Sequence, residues 1–198
     1  TIGMPTAEAL RITSGGKLGL GNVDPNAMMQ IVSSQNAEID RFNSSNYHLM
    51  LQNTGNDTGE AVGMGFAISD DTDKVGGAIL FERSGGGSAG SLQFYTNSDG
   101  ASVTERLRIS SDGKIWIGTT TGRIINSHEP RLQISGNDYK QSTVSIINNA
   151  ADATGAYLFF SKQRSGSGGG NTAVNADDIL GELRFNAADG TDTNSLGG

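Results

Sequence analysis

ERLRISSDGKIWIG, residues 105–118, is the stretch that decides the fold, because the chain also carries a near copy, EALRITSGGKLGLG, at residues 8–21. Eight of the fourteen positions are identical, and the copies begin 97 residues apart. A phrase repeated at long spacing indicates a protein built from repeated structural units. What one copy folds into therefore bears on most of the chain.

Each copy predicts a β-hairpin, since two short apolar runs flank a turn-forming segment. With a three-residue loop at 111–113, Ile109 faces Ile115 and Leu107 faces Ile117. All four aliphatic side chains then share one face, whereas a two-residue loop would mix them with arginine. The first copy predicts the same apolar face from its own aliphatic residues: Leu10, Ile12, Leu18 and Leu20.

The last residue of the predicted loop is glycine in both copies, Gly16 and Gly113. A three-residue hairpin loop commonly ends in a residue with positive φ, which glycine adopts without steric cost. The opposite face of the second hairpin carries Arg106, Arg108, Lys114 and Trp116. This register places Arg108 opposite Trp116 and allows a cation–π stack between them. Trp116 could also be an exposed platform for a sugar, but its position on a connecting hairpin favours a packing role.

The remaining sequence predicts an all-β fold. Gly accounts for 29 of the 198 residues and Pro for 3, and the chain is rich in Asn, Ser, Thr and Asp, which is typical of short strands and tight turns. The predicted strands lie near 47–53, 60–69, 75–83, 90–97, 103–110, 114–118, 131–135, 142–149, 154–163 and 179–187. The window 24–41 fits a helix about as well as a strand at Met28–Val32.

The order of strands and Gly-rich loops recurs and predicts β-sandwich-like units joined by hairpins. Residues 1–21 would end one unit, 22–118 would form a full unit with its hairpin, and 119–198 would form a second, incomplete unit. We expect a further copy of the phrase beyond residue 198. From the residues alone, each unit could close its own monomeric sandwich core or bury its apolar face against other chains.

Composition excludes several classes of function. The net charge of −7 and scattered basic residues leave no patch for nucleic acid, and the absence of Cys excludes disulfides and thiolate metal sites. No apolar run is long enough to cross a membrane. The Gly-rich segments 85–90 and 165–170 favour loops over phosphate cradles, and the acidic clusters at 70–73, 177–178 and 189–192 favour solvated turns over calcium loops. We predict no catalytic residues, no cofactor and no metal site.

ERLRISSDGKIWIGTT and GKLGLGNVDPNAMMQIVSS, with the upstream LQFYTN strand (92–97), resemble a pattern widespread in tailed-phage fibres. That pattern runs E-R-[ML]-R-I-x-S-x-G-x-[VIL]-G-I-G-T-T-x-P, and the resemblance covers most of the chain. Two departures stand out: Trp116 replaces the usual Gly of G-I-G, and residues 22–25 replace T-T-x-P.

The resemblance implies an elongated, parallel homotrimeric fibre segment located on the virion, outside the cell. Its partners would be two further copies of itself, other virion tail proteins, and a glycan or protein receptor on the host surface. The expected function is structural and adhesive rather than enzymatic. Two alternatives remain open: a polysaccharide-degrading tail spike, which needs a pair of carboxylates in a groove, and a bacterial surface adhesin or filament of β repeats.

Overall fold

Strands make up nearly all the regular structure, so the chain is all-β as predicted. The computed structural model describes residues 8–33, 40–41, 43–68, 70, 74–98, 102–188 and 195–196. A single 3-10 turn, Ser44–Asn46, lies in the described chain. The strands are β1 (Leu10–Ile12), β2 (Leu18–Leu20), β3 (Met29–Ile31), β4 (Ala61–Phe66), β5 (Gly77–Arg83), β6 (Gly90–Asn97), β7 (Val103–Ile109), β8 (Ile115–Ile117), β9 (Leu132–Ile134), β10 (Asn186–Ala187) and β11 (Ser195–Leu196).

The chain divides into two compact units, Thr1–Gly55 and Asn56–Gly198. The first contains a three-stranded sheet in the order β1-β2-β3, and the second contains a six-stranded sheet in the order β4-β5-β6-β7-β8-β9 and a small β10-β11 pair. The predicted repeat units meet after residue 21 and after residue 118. Each of these limits lies in the connection between two strands that pair with each other, β2 with β3 and β8 with β9, so each limit cuts through a sheet.

Both predicted hairpins form with the predicted register. Ile109 pairs with Ile115, Arg108 with Trp116 and Leu107 with Ile117. In the first copy, β1 pairs with β2 in the same way. The loop glycines both have positive φ, +77° at Gly16 and +79° at Gly113, so the three-residue loop is confirmed.

A third strand completes each hairpin. β3 pairs in parallel with β2, and β9 pairs in parallel with β8. β3 settles the ambiguous window 24–41 in favour of a strand at its N-terminal part, while residues 34–39 lie outside the described chain. Two parallel strands need a crossover connection, here residues 21–28 in the first copy and 118–131 in the second.

Four predicted strands are wrong: 47–53, 142–149, 154–163 and 179–187 have no ladder hydrogen bonds in the described chain, apart from the two residues of β10. A strand needs neighbours to satisfy its backbone groups. β6 has β5 on one side and β7 on the other, but 181–187, its counterpart in sequence, has no copy of the hairpin phrase beside it within residues 119–198. Alternation alone therefore does not make a strand here.

Candidate functional site

The two hairpins and their third strands form the same arrangement twice, which we call the first module (residues 8–33) and the second module (residues 105–135). In the second module the Gly113 N–H donates to the Ser110 carbonyl and the Ser110 N–H donates to the Lys114 carbonyl, both at 2.9 Å. The Ser110 hydroxyl also accepts from the Lys114 N–H at 3.0 Å. The first module has the equivalent bonds at the same distances: Thr13, Gly16 and Lys17.

The last glycine of each phrase lets the third strand approach. Gly118 has φ +75°, and a Cβ added there would lie 2.2 Å from the Ser135 carbonyl oxygen. Gly21 has φ +69°, and its Cβ would lie 2.3 Å from the Val32 carbonyl oxygen. Contacts this short are incompatible with a side chain, so the repeated glycine is required by the parallel strand and by the backbone conformation together.

A glutamine in the third strand fastens each crossover connection. The Gln133 amide accepts from the Arg123 N–H at 2.9 Å and donates to the Arg123 carbonyl at 3.0 Å. Gln30 accepts from Asn22 Nδ2 and from the Asn26 N–H, both at 2.9 Å. The 97-residue repeat does not reveal these glutamines, although Gln-Ile occurs in both strands, because the longer second crossover shifts Gln133 out of that spacing.

The lysine that is repeated in the two modules, Lys17 and Lys114, contacts the crossover connection of its own module. Lys17 Nζ donates to the Pro25 carbonyl at 3.0 Å, and Lys114 Nζ forms an ion pair with Glu129 and another, at 2.5 Å, with Asp112. Hydrogen bonds from Lys114 first, and then from Ser110, lower the pKa of Asp112 to about 2. The crossover in both modules therefore lies on the face that carries the lysine and the glutamine.

The first module has Gly19 at the position where the second module has Trp116, and the different lengths of the two crossovers explain this difference. Gly19 is buried, and a Cβ there would lie 2.1 Å from the Asn22 carbonyl oxygen, with Pro25 also in contact. The longer second crossover leaves room at the equivalent position for Trp116, whose ring lies against Gly122. Trp116 thus fills the space beneath a loop, which favours a packing role over a sugar-binding platform.

The cation–π stack of Arg108 on Trp116 that the register allows is not among the contacts of the described residues; the cation–π contact found there joins Lys140 and Tyr139. The Arg108 guanidinium instead donates to both Glu105 oxygens, at 2.8 and 2.7 Å, and to Ser91 Oγ at 3.1 Å. The Glu105 bonds raise the pKa of Arg108 above its usual value.

A β-bulge explains why the phrase spaces glutamate and arginine three residues apart. Residues three apart in a regular strand point to opposite faces, but the β6–β7 register shifts between Phe94 and Tyr95, so Tyr95 pairs with Glu105. Glu105 and Arg108 therefore share a face, while Arg106 donates to Thr96 instead of lying beside Arg108. In the first module, Glu8 and Arg11 form the corresponding ion pair.

The Glu105–Arg108 pair belongs to a polar network centred on Gln93, whose side chain is fully buried. Gln93 Nε2 donates to Glu82 at 3.0 Å and to Ser91 at 2.8 Å, and Gln93 Oε1 accepts from the Tyr95 hydroxyl at 2.7 Å. Burial, and then the Glu105 carboxylate, raise the pKa of Tyr95. These groups satisfy one another, as buried polar groups must.

The registers divide the six-stranded sheet into two contrasting faces. On the apolar face, two rows each carry one apolar residue from every strand. The first row is Val62, Phe81, Leu92, Ile109, Ile115 and Leu132, and the second is Met64, Ile79, Phe94, Leu107, Ile117 and Ile134. The polar face carries the Gln93 network, Lys114, Trp116 and Gln133.

The four aliphatic residues predicted for the second hairpin, Leu107, Ile109, Ile115 and Ile117, all lie on this apolar face. None is buried in the described chain: Ile115 is 36% exposed and the other three are half-buried. At the ends of the rows, Met64 is 43% and Leu132 is 56% exposed. The apolar face thus lacks a cover from the described part of the chain.

A separate ion cluster joins two segments in the second half. The Asp178 carboxylate accepts from Lys162 at 2.9 Å, from Arg164 at 2.6 and 2.7 Å, and from the Asn175 N–H at 2.9 Å. Arg164 first, and then Lys162, hold the pKa of Asp178 well below its usual range. Asp178 therefore binds cationic side chains, whereas 71–73 and 189–192 lie outside the described residues.

Within the described residues, no group of three or more His, Asp or Glu side chains is placed to hold a metal ion. Nor does the described chain contain a helix with the length and hydropathy needed to cross a membrane. Compared with known proteins, the chain matches no protein-family model and no curated protein sequence.

Proposed function

We propose that this chain is a structural and adhesive segment of a tailed-phage fibre, in which three parallel copies form a rod of repeated β units and hold host-binding surfaces away from the virion. The segment works by geometry and has no catalytic role. Its partners are copies of itself, other virion tail proteins and a glycan or protein receptor on the host cell. Three copies around one axis would also give multivalent attachment.

The observation that carries this proposal is the module itself. The phrase that resembles phage-fibre sequences forms a hairpin with its own turn, ion pair, parallel third strand and closing glycine, and it does so twice in one chain. A module that fixes its local structure from its own residues suits a fibre, because each unit along a rod contacts few others. Its apolar residues still need another surface for burial.

The alternative of a polysaccharide-degrading tail spike lacks a comparable observation. Glu82 and Glu105 both enter the Gln93 network, but both oxygens of Glu105 accept hydrogen bonds from Arg108. A glycosidase needs one carboxylic acid to donate a proton and a second, free carboxylate to act on the sugar or on water. A carboxylate paired with arginine at short distance fits a structural role better.

Three measurements on the purified chain test the proposal. Sedimentation equilibrium should give three times the 20.6 kDa chain mass, and fluorescently labelled protein should be retained by cells of a susceptible host and lost when surface glycans or proteins are stripped. Incubation with the isolated host polysaccharide should release no reducing ends. A monomer at micromolar concentration would contradict the trimer, and steady release of reducing ends would favour the tail spike.

A further inference from the structure

We infer that the side chains around the turn of the second hairpin protect Asp112 from conversion to isoaspartate, a covalent modification that aspartate followed by glycine undergoes readily in flexible chains. Gly113 is that following residue, and glycine favours the reaction because no side chain shields its amide nitrogen. The inference concerns the chemical durability of the second module, so it goes beyond the proposed function and does not depend on it.

The modification is intramolecular and needs no reagent other than water. The backbone nitrogen of Gly113 attacks Cγ of Asp112 and forms a new N–C bond, while the amide proton and the carboxyl hydroxyl leave together as one molecule of water. Water then opens the resulting five-membered imide and gives either aspartate again or isoaspartate, in which the backbone runs through the side chain. The attack requires a protonated carboxyl group, because an ionised carboxylate is a poor electrophile, and a peptide group that is free to rotate.

The peptide group between Asp112 and Gly113 is bound at both of its polar atoms. Its N–H, that of Gly113, donates to the Ser110 carbonyl at 2.9 Å within the turn. Its carbonyl, that of Asp112, accepts from Arg131 Nη1 at 3.0 Å. The nitrogen therefore cannot approach Cγ until the turn opens and both bonds are broken.

The carboxylate of Asp112 is bound by two further groups. One oxygen accepts from the Ser110 hydroxyl and the other forms the ion pair with Lys114 Nζ, both at 2.5 Å. Because these bonds lower the pKa of Asp112 to about 2, the carboxyl group is in its unreactive, ionised form at neutral pH. The side chain is 54% exposed, so the protection comes from these bonds and not from exclusion of water.

Isoaspartate at this position would disturb the whole hairpin. It adds one atom to the backbone of a three-residue loop, and the length of that loop sets the register of β7 with β8. The pairing of Ile109 with Ile115, and with it the separation of the two faces, depends on that register. The first module has Gly15 at the position of Asp112 and therefore has no aspartate to protect in its turn.

The chain offers its own references for a test, because Asp99 and Asp189 are also followed by glycine. After incubation at neutral pH, peptide mapping by mass spectrometry quantifies isoaspartate at each aspartate. In urea all three should react at similar rates. In the native protein, the rate at Asp112 should be about tenfold or more below its own rate in urea, since the reaction waits for local opening of the turn.

Two matched variants separate the bonds of the carboxylate from the turn itself. Lys114→Met removes the ion pair and should raise the native rate at Asp112 severalfold, whereas Lys17→Met, the same change in the first module, should leave it unchanged. Trp116 fluorescence checks that both variants are folded, and Ser110→Ala repeats the test if Lys114→Met does not fold. A native rate as high as the rate in urea would overturn the inference. So would an unchanged rate in the folded variant that lacks the carboxylate's partner, since the turn alone would then account for the protection.

Discussion

Gly118 and Gly113 both have left-handed backbone conformations, but alanine at Gly118 should destabilise the protein more than alanine at Gly113. A Cβ at Gly113 would meet only the Arg131 guanidinium, at 3.5 Å, and that side chain can move. A Cβ at Gly118 would lie 2.2 Å from the Ser135 carbonyl oxygen, which belongs to the backbone just after β9. The two substitutions share a conformational cost and differ in the clash.

The shared cost is about 1–2 kcal/mol, because an L-residue in the left-handed region brings its Cβ close to the following carbonyl. Relief of the Gly118 clash requires the backbone after β9 to move away from β8, which removes the bond from the Ser135 N–H to the Ile117 carbonyl at 2.9 Å. That bond contributes about 1 kcal/mol, and lost packing adds to it. We expect about 1–2 kcal/mol for Gly113→Ala and about 3 kcal/mol or more for Gly118→Ala.

Urea unfolding at one fixed protein concentration measures both effects, with Trp116 fluorescence as the signal, since it is the sole tryptophan. Gly113→Asn is the matched control, because asparagine tolerates positive φ better than alanine, and it should be less destabilising than Gly113→Ala. If Gly118→Ala cost no more than Gly113→Ala, the close approach of the Ser135 carbonyl would not be the reason for glycine there. If Gly113→Ala had no effect on stability, the conclusion that the turn requires a left-handed conformation at this position would be wrong.

Three further predictions follow from the faces and ion pairs. Ile109→Asp should convert the proposed trimer to monomers by sedimentation, because it places a charge within the apolar face; an unchanged mass would argue against burial of that face. Arg108→Met should cost about 3–5 kcal/mol by urea unfolding, since it leaves the charge of the Glu105 carboxylate, which is 6% exposed, without a cation and with only the Tyr95 hydroxyl as a donor, at 3.2 Å. Adding Glu105→Gln should recover part of the loss; equal stability of the single and double variants would contradict this. The pKa of Asp112 is lowered to about 2 from about 4 in the unfolded chain, so its ionised carboxylate stabilises the fold above about pH 4 and loses that effect as pH falls through about 2. Between about pH 4 and about pH 2, Asp112→Asn should therefore lose less stability than wild type in an acid titration. Parallel stability curves for the two proteins would show that the Lys114 pair contributes nothing.

Local sequence was sufficient for the hairpins. The loop length, both registers and the positive φ of Gly16 and Gly113 could be read from alternation and turn chemistry alone. Each of these properties depends on residues within a few positions of one another, so no distant contact can override them. The bounds of β6 were also predicted correctly, at 90–97, although its formation depends on pairing with β5 and β7.

The predictions that failed depend on neighbours. Residues 179–187 alternate and 154–163 contain an apolar run, as strands do, but without partner strands their backbone groups form no ladder apart from the two residues of β10. The possible stack of Arg108 on Trp116 was drawn from the correct register, which does not show that the bulge between Phe94 and Tyr95 brings Glu105 onto the same face. A carboxylate that accepts two hydrogen bonds from a guanidinium attracts it more strongly than an indole ring does.

The sequence by itself determined that the fold is all-β, that the phrase forms a hairpin with one apolar side, and which glycines its turns require, because strand alternation and turn conformation are properties of neighbouring residues. Only the tertiary structure decided that the crossovers cover the polar face, that Gln30 and Gln133 fasten them, and that twelve apolar residues align in two rows across six strands. The physical reason is that rows, crossovers and bulges arise from the register between strands distant in sequence, and that register is fixed only when all the strands pair together.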